Sequence, residues 1–437
     1  MELRTNEIAK ATGGVASGPD VGVAGASIDS REVAPGQLFV PVVAARDGHD
    51  FVADAVAAGA AAYLTSRGLV DDLDVTAIEV GDTVVALGAL GRHARNRLPE
   101  RVVGITGSVG KTSVKDLLAV AMAARWRTSA SVGSFNNELG VPLTLVNAAD
   151  DTDALVVEMG ARGVGHVADL CALALPTVGV VTRVAAVHTE TFGTLEEVAS
   201  AKGELVEALP HSGHAVLNSG DPLVAAMASR TSAETVTFGD GGDVRAESAT
   251  LDDELRPSFR LVSPWGACGV RLRVRGEHMI DNALAAASAA LVCAVPLDAV
   301  AEALGTAVLS RWRMDLVRLR SGALVVNDAY NANPTSMAAA LRALARLPAK
   351  RRVAVLGVMA ELGPSSDEEH RGVGAEAREL GVEVIGVGVP AYGGTTVATV
   401  DDVPGALGDL GGGDAVLLKG SRVAGLERLL ELLESLG

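Results

Sequence analysis

The 437-residue chain has only three cysteines, Cys171, Cys268 and Cys293, widely spaced and with no CxxC pair among them. An odd, scattered set of this kind excludes a disulfide framework and a structural zinc site, and it fits a reducing compartment. Long apolar runs are missing too: each apolar stretch is broken by Gly, Pro or charge before it could span a bilayer. The opening MELRTNEIAKATGG lacks the apolar core of a signal peptide. These absences predict a cytoplasmic protein with no membrane insertion. Basic residues are also short, 37 Lys and Arg against 54 Asp and Glu, for a formal net charge of −17. That balance speaks against nucleic acid or an anionic membrane surface as a partner. It leaves anionic nucleotides open, because a phosphate site needs only converging N–H groups and one or two cations. Internal repeats and low-complexity tails are absent.

What is present has an ordinary globular balance, 49% hydrophobic and 21% charged residues, in a chain long enough for two to four domains. Residues 1–98 read as a small α/β unit, with a strand at 37–43, a helix over 51–61 and a strand in AAYLTS. Residues 99–310 hold β-branched apolar runs, RVVGIT, ALVVEM, TVGVVT and HAVLN, separated by helical patterns. That alternation predicts βαβ units and a mainly parallel sheet. Between Thr235 and Arg275 the period falls to two, as in FRLVS and GVRLRVR, and predicts a small antiparallel sheet. Residues 311–437 repeat the alternation with ALVVND, RVAVLG, VEVIGVG and DAVLLKG, the pattern of a Rossmann-like domain. There the segment GGTTVATVDDVPGALGDLGGG is expected to supply loops. The fold class is therefore α/β in three domains.

The strongest local signal is GITGSVGKTS, Gly104 to Ser113, which follows a strand pattern and opens a helix with Val114, Leu117, Leu118 and Met122 on its apolar face. A phosphate loop requires that context. Gly107, Ser108 and Gly110 would wrap phosphate with backbone N–H groups, Lys111 would reach the β/γ-phosphates, and Thr112 and Ser113 lie at the helix N-terminus, where Thr112 can ligate Mg²⁺. Ile105 stands where the strict G-x-x-x-x-G-K-[ST] pattern has its first glycine. A phosphate loop alone leaves kinase, GTPase and ligase open.

Three further residues stand out. Glu158 closes the strand ALVVEM, where a carboxylate is well placed for Mg²⁺ but can equally be a solvated strand-end acid. His188 lies in a loop before the helix of residues 194–208, a position where most histidines are plain surface residues. Lys202 falls inside that helix's apolar stripe of Leu195, Val198, Ala199, Leu205, Val206 and Leu209. Either its amine snorkels to the surface, or burial lowers its pKa and leaves a neutral amine open to modification or chemistry.

Taken in order, the motifs resemble the Mur ligase family, and within it the MurF-type ligases, across nearly the whole chain. The spacing G-x-T-G-x-x-G-K-T is similar to that of Mur ligases and their folylpolyglutamate synthetase relatives. SIDSREVAPGQLFVPVVAARDGHDF resembles the family's UDP-sugar-binding segment, with Ser30 and Arg31 in its DSR motif, and FNNELGVPLT brings in Asn136 and Asn137. The resemblance implies that Glu158 and His188 hold magnesium, and that Lys202 is carbamylated to N6-carboxylysine beside the metal. GEHMIDNALAA places Asn282 at the adenine, and SRWRMD places Arg313 at the γ-phosphate. NDAYNANPTSM places Asp328 near the ribose, Tyr330 and Asn331 around the nucleotide, and Asn333 and Ser336 on the substrate side. VLGVMAELG and LLKGSR, with Lys419, Ser421 and Arg422, complete the match.

The resemblance implies an ATP- and Mg²⁺-dependent, ADP-forming ligase whose N-terminal domain binds a UDP-linked muramoyl peptide and whose C-terminal domain receives D-alanyl-D-alanine. It would act as a monomer in cell-wall synthesis. Some positions depart from the family pattern: Arg183 and Met279 each replace an asparagine, Val358 replaces an acid, and the N-terminal K-G pair is missing. These departures leave room for a diverged ligase acting on another amino acid or dipeptide. A catalytically dead nucleotide-binding regulator is a further alternative, opposed by the retained Lys111, Glu158, His188, Lys202 and Asp328.

Overall fold

The strand Val102–Thr106 is buried at every position, as expected where a parallel sheet is covered on both faces. The computed structural model, which describes residues 1–185 and 194–436, sets this strand inside a six-stranded sheet. The spatial order is Glu234–Phe238, His214–Asn218, Val178–Val181, Val102–Thr106, Ala154–Glu158 and Thr128–Ala130, all parallel. From Val102–Thr106 the chain goes first to the edge strand Thr128–Ala130, returns to fill in Ala154–Glu158, and then builds the other side outward from Val178–Val181. The reversal leaves a crevice past the carboxyl ends of the neighbours Val102–Thr106 and Val178–Val181, where ligands of open α/β sheets bind.

The three strands Arg245–Leu251, Pro257–Ser263 and Gly266–Arg271 form the expected antiparallel sheet. Its predicted start at Thr235 is corrected: Glu234–Phe238 is the parallel edge strand, and its alternating burial is that of an edge. A second six-stranded sheet gathers the four runs expected after residue 311. Asp315–Arg318 is added antiparallel at one edge, and Thr395–Val397 parallel at the other. The segment read as loops therefore contains a strand, and the helix Val403–Leu407 follows it. Three residues between glycines and threonines give too short an apolar pattern to register as a strand.

Near the N-terminus a five-stranded sheet runs Val15–Ser17, Thr76–Glu79, Ala62–Thr65, Leu38–Phe39 and Ala26–Ser27. The strand expected over 37–43 shrinks to Leu38–Phe39, since Pro41 has no N–H to donate to a ladder. The helix expected over 51–61 is Val52–Ala57, preceded by one 3₁₀ turn. Asp82 caps the longer helix Thr83–Arg95 by accepting from the N–H groups of Val84 and Val85.

Continuous apolar clusters join these units. Leu87, Leu90 and Ala94 share a core with Val141, Leu143 and Leu170, and Arg95 reinforces that junction. Its buried guanidinium donates to the carbonyls of Ala174 at 2.6 Å, Leu98 at 3.1 Å and Leu175 at 3.4 Å, closing the C-terminal end of helix His166–Ala174. On the other side, Ala283, Ala286, Ala287 and Ala290 of helix Met279–Val292 pack with Val114, Leu117 and Ala121 of helix Lys111–Ala123. The same cluster continues into Met337 and Leu341 of helix Pro334–Arg346. No helix among the described residues is long and apolar enough to cross a membrane. Replacing Arg95 by Met should cost about 3 kcal/mol, because three carbonyls lose a charged donor. Urea denaturation followed by circular dichroism checks this, and an unchanged midpoint would contradict it.

Candidate active site

The loop that follows Val102–Thr106 folds back into helix Lys111–Ala123 because two glycines permit it. Gly107 has φ +143°, and a Cβ there would lie 2.0 Å from the Thr182 hydroxyl oxygen. Gly110, with φ +87°, is the N-cap of the helix, and a Cβ there would lie 2.6 Å from Oδ1 of Asn282. Hydrogen bonds from the segment after Val178–Val181 pin the loop. Ser108 N donates to Arg183 O at 2.7 Å and Thr182 Oγ1 to Val109 O at 2.6 Å. Ser108 Oγ accepts from Ala185 N at 3.0 Å and donates to Ala185 O at 3.1 Å. Free N–H groups at the helix start and the helix dipole make this loop an anion site. Lys111 curls over it, with Nζ donating to Gly107 O at 2.6 Å, and Thr112 and Ser113 are buried.

The charges around the loop are tightly constrained. Burial holds the Lys111 amine below its ordinary pKa; Glu158 opposes this and Arg313 adds to it. Glu158 ends the strand Ala154–Glu158 and is 1% exposed, with Oε1 accepting from Asn136 Nδ2 at 2.7 Å. Its Oε2 is buried and has no hydrogen-bond partner among the described residues. Lys202, on helix Leu195–Glu207, is 2% exposed, so its amine does not snorkel to solvent. Burial pushes its pKa down to about 7, the Lys111 charge pushes the same way, and Glu204 opposes them. Glu204 is itself fixed, accepting from the N–H groups of Gly165 at 2.5 Å and Ala168 at 2.9 Å.

The facing wall comes from the second six-stranded sheet. The Arg313 guanidinium lies 4.4 Å over the Tyr330 ring, and the Tyr330 hydroxyl meets Ser134 across the gap. Lys419 is buried, donating to Asp328 Oδ2 at 2.5 Å and Asn331 O at 3.0 Å, while Asp328 Oδ1 accepts from Met314 N. Four candidates spend side-chain atoms on the backbone. Asn137 Oδ1 accepts from Gly140 N, and Asn333 and Ser336 form the capping box of helix Pro334–Arg346. Ser421 Oγ accepts from Ala360 N at 2.9 Å. They shape the wall, whatever else they touch.

Between the two walls lies a cavity of about 930 Å³. Of the site residues expected from the sequence, all but Gly107, Ser30, Arg31 and His188 line it. Gly107 supports the loop from behind. Ser30 and Arg31 sit in the N-terminal unit, where Arg31 is engaged by Asp29 at 2.9 and 2.5 Å. His188 lies outside the described residues. Arg162, His166 and Asp169 also line the cavity, within the segment EMGARGVGHVADL in which only Glu158 was expected at the site. Their signal is positional, since they follow the C-terminal end of a parallel strand. Among the described residues, no three His, Cys, Asp or Glu side chains cluster as a metal site.

A phosphate loop at the reversal point of one sheet, completed by cations from a second α/β domain, defines a nucleotide-using enzyme with a shared interdomain site. Sequence comparison narrows the class. Residues 105–290 match the Mur ligase middle domain, and residues 312–422 match the Mur ligase, glutamate ligase domain. The chain belongs to the Mur ligase family. It is 40% identical to the UDP-N-acetylmuramoyl-tripeptide--D-alanyl-D-alanine ligase of Mycobacterium tuberculosis, over 93% of this chain and 91% of that one. The crystal structure of MurF from Acinetobacter baumannii superposes with a TM-score of 0.88 at 29% identity, covering 100% and 99% of the two chains. MurF ligase from Thermotoga maritima in complex with ADP gives 0.81 at 29% identity, covering 94% and 97%.

Gly107→Ala should weaken ATP binding about ten- to a hundredfold, since strain at φ +143° costs about 1–3 kcal/mol before the Thr182 clash is counted. Nucleotide titration monitored by fluorescence, with circular dichroism as the fold control, checks this. Wild-type affinity in the folded variant would contradict the loop geometry.

Proposed function

We propose that this chain is an ATP-dependent, ADP-forming amide ligase that joins D-alanyl-D-alanine to UDP-N-acetylmuramoyl-tripeptide in peptidoglycan precursor synthesis. The observation that carries the reading is the facing of Lys111 and Glu158 by Arg313, Asp328 and Lys419 across one cavity, in a chain 40% identical to such a ligase. Residues 1–98 would bind the UDP substrate, 99–310 the ATP and 311–437 the amine. The chain would act in the cytoplasm as a monomer.

The acceptor carboxylate attacks the γ-phosphorus of ATP and ADP leaves, giving an acyl phosphate. The amine of D-alanyl-D-alanine then attacks the acyl carbon and phosphate leaves. Lys111 and Arg313 stabilise the negative charge of the transferring group, a preorganised electrostatic role. The second domain keeps water from the acyl phosphate while the amine arrives. Asn282 would lie at the adenine, Asp328 near the ribose, and Tyr330 and Asn331 around the nucleotide. Thr112, Glu158, His188 and a carbamylated Lys202 are the residues that would hold or orient Mg²⁺, and the unpaired Glu158 Oε2 fits such a cation. Bound there, Mg²⁺ would offset the charge of the phosphates.

Phosphate release tests the reading. Wild-type protein should release phosphate from ATP with UDP-muramoyl tripeptide and D-alanyl-D-alanine together, and Lys111→Ala should lose nearly all turnover with its fold intact. Release driven better by another acceptor and amine would instead favour a diverged ligase.

Lys202 supplies a sharper test. With a pKa near 7 its amine is neutral above that pH and an ammonium below it, and only the neutral form adds CO₂. Carbamate occupancy and activity should therefore rise together as pH passes upward through 7. Lys202→Ala should be severely impaired and partly rescued by acetate. Lys202→Arg should fail, because a guanidinium keeps its charge. A ¹³C-carbamate resonance should appear in wild type and vanish in either variant. Near-normal turnover by Lys202→Arg would rule the carbamate out.

A further inference from the structure

The segment leaving Val178–Val181 places one more cation at the phosphate loop. The hydrogen bonds from Ser108, Thr182 and Ala185 hold residues 182–185 alongside residues 107–109, and a Cβ on Gly107 would lie 3.2 Å from both N and O of Arg183. The backbone of Arg183 is thus fixed at the reversal point of the sheet. Its half-exposed side chain lines the cavity and ends 4.0 Å from Oδ2 of Asp281, in the first turn of helix Met279–Val292. The next residue, Asn282, abuts Gly110. Arg183 therefore stretches from the first glycine of the loop toward the helix that flanks its last one.

The carboxylate is a weak holder for this guanidinium. A pair at 4.0 Å with both side chains partly in water contributes little. Asp281 also sits in an acidic neighbourhood: burial, then Asp240 and Glu277, favour its protonated form against the pull of Arg183. A nucleotide diphosphate carries more charge than one carboxylate and offers the geometry that guanidinium groups bind bidentately.

We infer that Arg183 is a nucleotide-binding residue, parked on Asp281 and turned onto the phosphate chain of ATP or ADP when that chain occupies the loop. Nucleotide binding then exchanges a carboxylate partner for a phosphate one. The inference rests on the nucleotide reading given under Proposed function and adds a phosphate contact to it.

Calorimetry on the full chain tests it, with ADP titrated directly and adenosine by competition. Arg183→Met should weaken ADP binding about tenfold or more, the loss expected for one charge-assisted hydrogen bond. It should leave adenosine binding unchanged and flatten the salt dependence of ADP binding. Arg183→Lys, which keeps the charge, should recover part of the affinity. Asp281→Asn should leave ADP binding equal or tighter. Unchanged ADP affinity in Arg183→Met would overturn the proposal, as would equal losses for adenosine and ADP. A loss in Asp281→Asn matching that of Arg183→Met would also overturn it, since the pair would then be a structural brace. Wild-type protein unable to bind ADP would instead sink the nucleotide reading itself.

Discussion

Lys202 is buried within the field of Lys111, and that constraint organises the site. The Lys111 charge pushes the Lys202 amine toward its neutral form, and Arg313 does the same to Lys111. Buried like charges are tolerated only when anions or neutral forms relieve them. Glu158 provides one carboxylate, with an oxygen left unpaired among the described residues. In the proposed reading, a phosphate chain on the loop and a carbamate on Lys202 would add further negative charge. Lys111 donates to Gly107 O and Lys419 to Asn331 O in positions where phosphate or substrate oxygens could replace those acceptors.

The fold delivers these groups through few covalent steps. The central parallel sheet reverses its building direction beside Val102–Thr106, and the loops leaving two neighbouring strands become the phosphate loop and its brace. Helix Met279–Val292 packs its alanines on the helix that follows the loop, so Asn282 reaches Gly110 directly. The apolar cluster beneath continues into the C-terminal domain, and with the Tyr330–Ser134 contact it brings Arg313 and Tyr330 over the cavity.

Parts of this were legible in the residues alone. The phosphate loop is contiguous, and its glycines and lysine state their purpose between Gly104 and Ser113, just ahead of the apolar stripe from Val114 to Met122. The burial of Lys202 was legible as helix register, though not the choice between snorkelling and a neutral amine, which depends on what packs above the stripe. The parallel runs announced themselves through β-branched residues. Thr395–Val397 and Asp315–Arg318 did not, because edge strands are short and half-polar. The meeting of Arg313, Asp328 and Lys419 with Lys111 crosses some two hundred residues or more, so only family resemblance anticipated it. Arg162, His166 and Asp169 were not singled out beside Glu158, because their place at the cavity comes from the strand end that their segment follows.

In the proposed reading, cations from two domains hold one set of phosphates. Arg313→Ala tests it most directly, with turnover and UDP-acceptor binding measured on the same protein. The account predicts turnover lower by about a hundredfold, the scale of losing one preorganised charge at a transition state, with acceptor binding by calorimetry essentially unchanged. Equal losses of turnover and acceptor binding would contradict it and assign Arg313 to the acceptor instead.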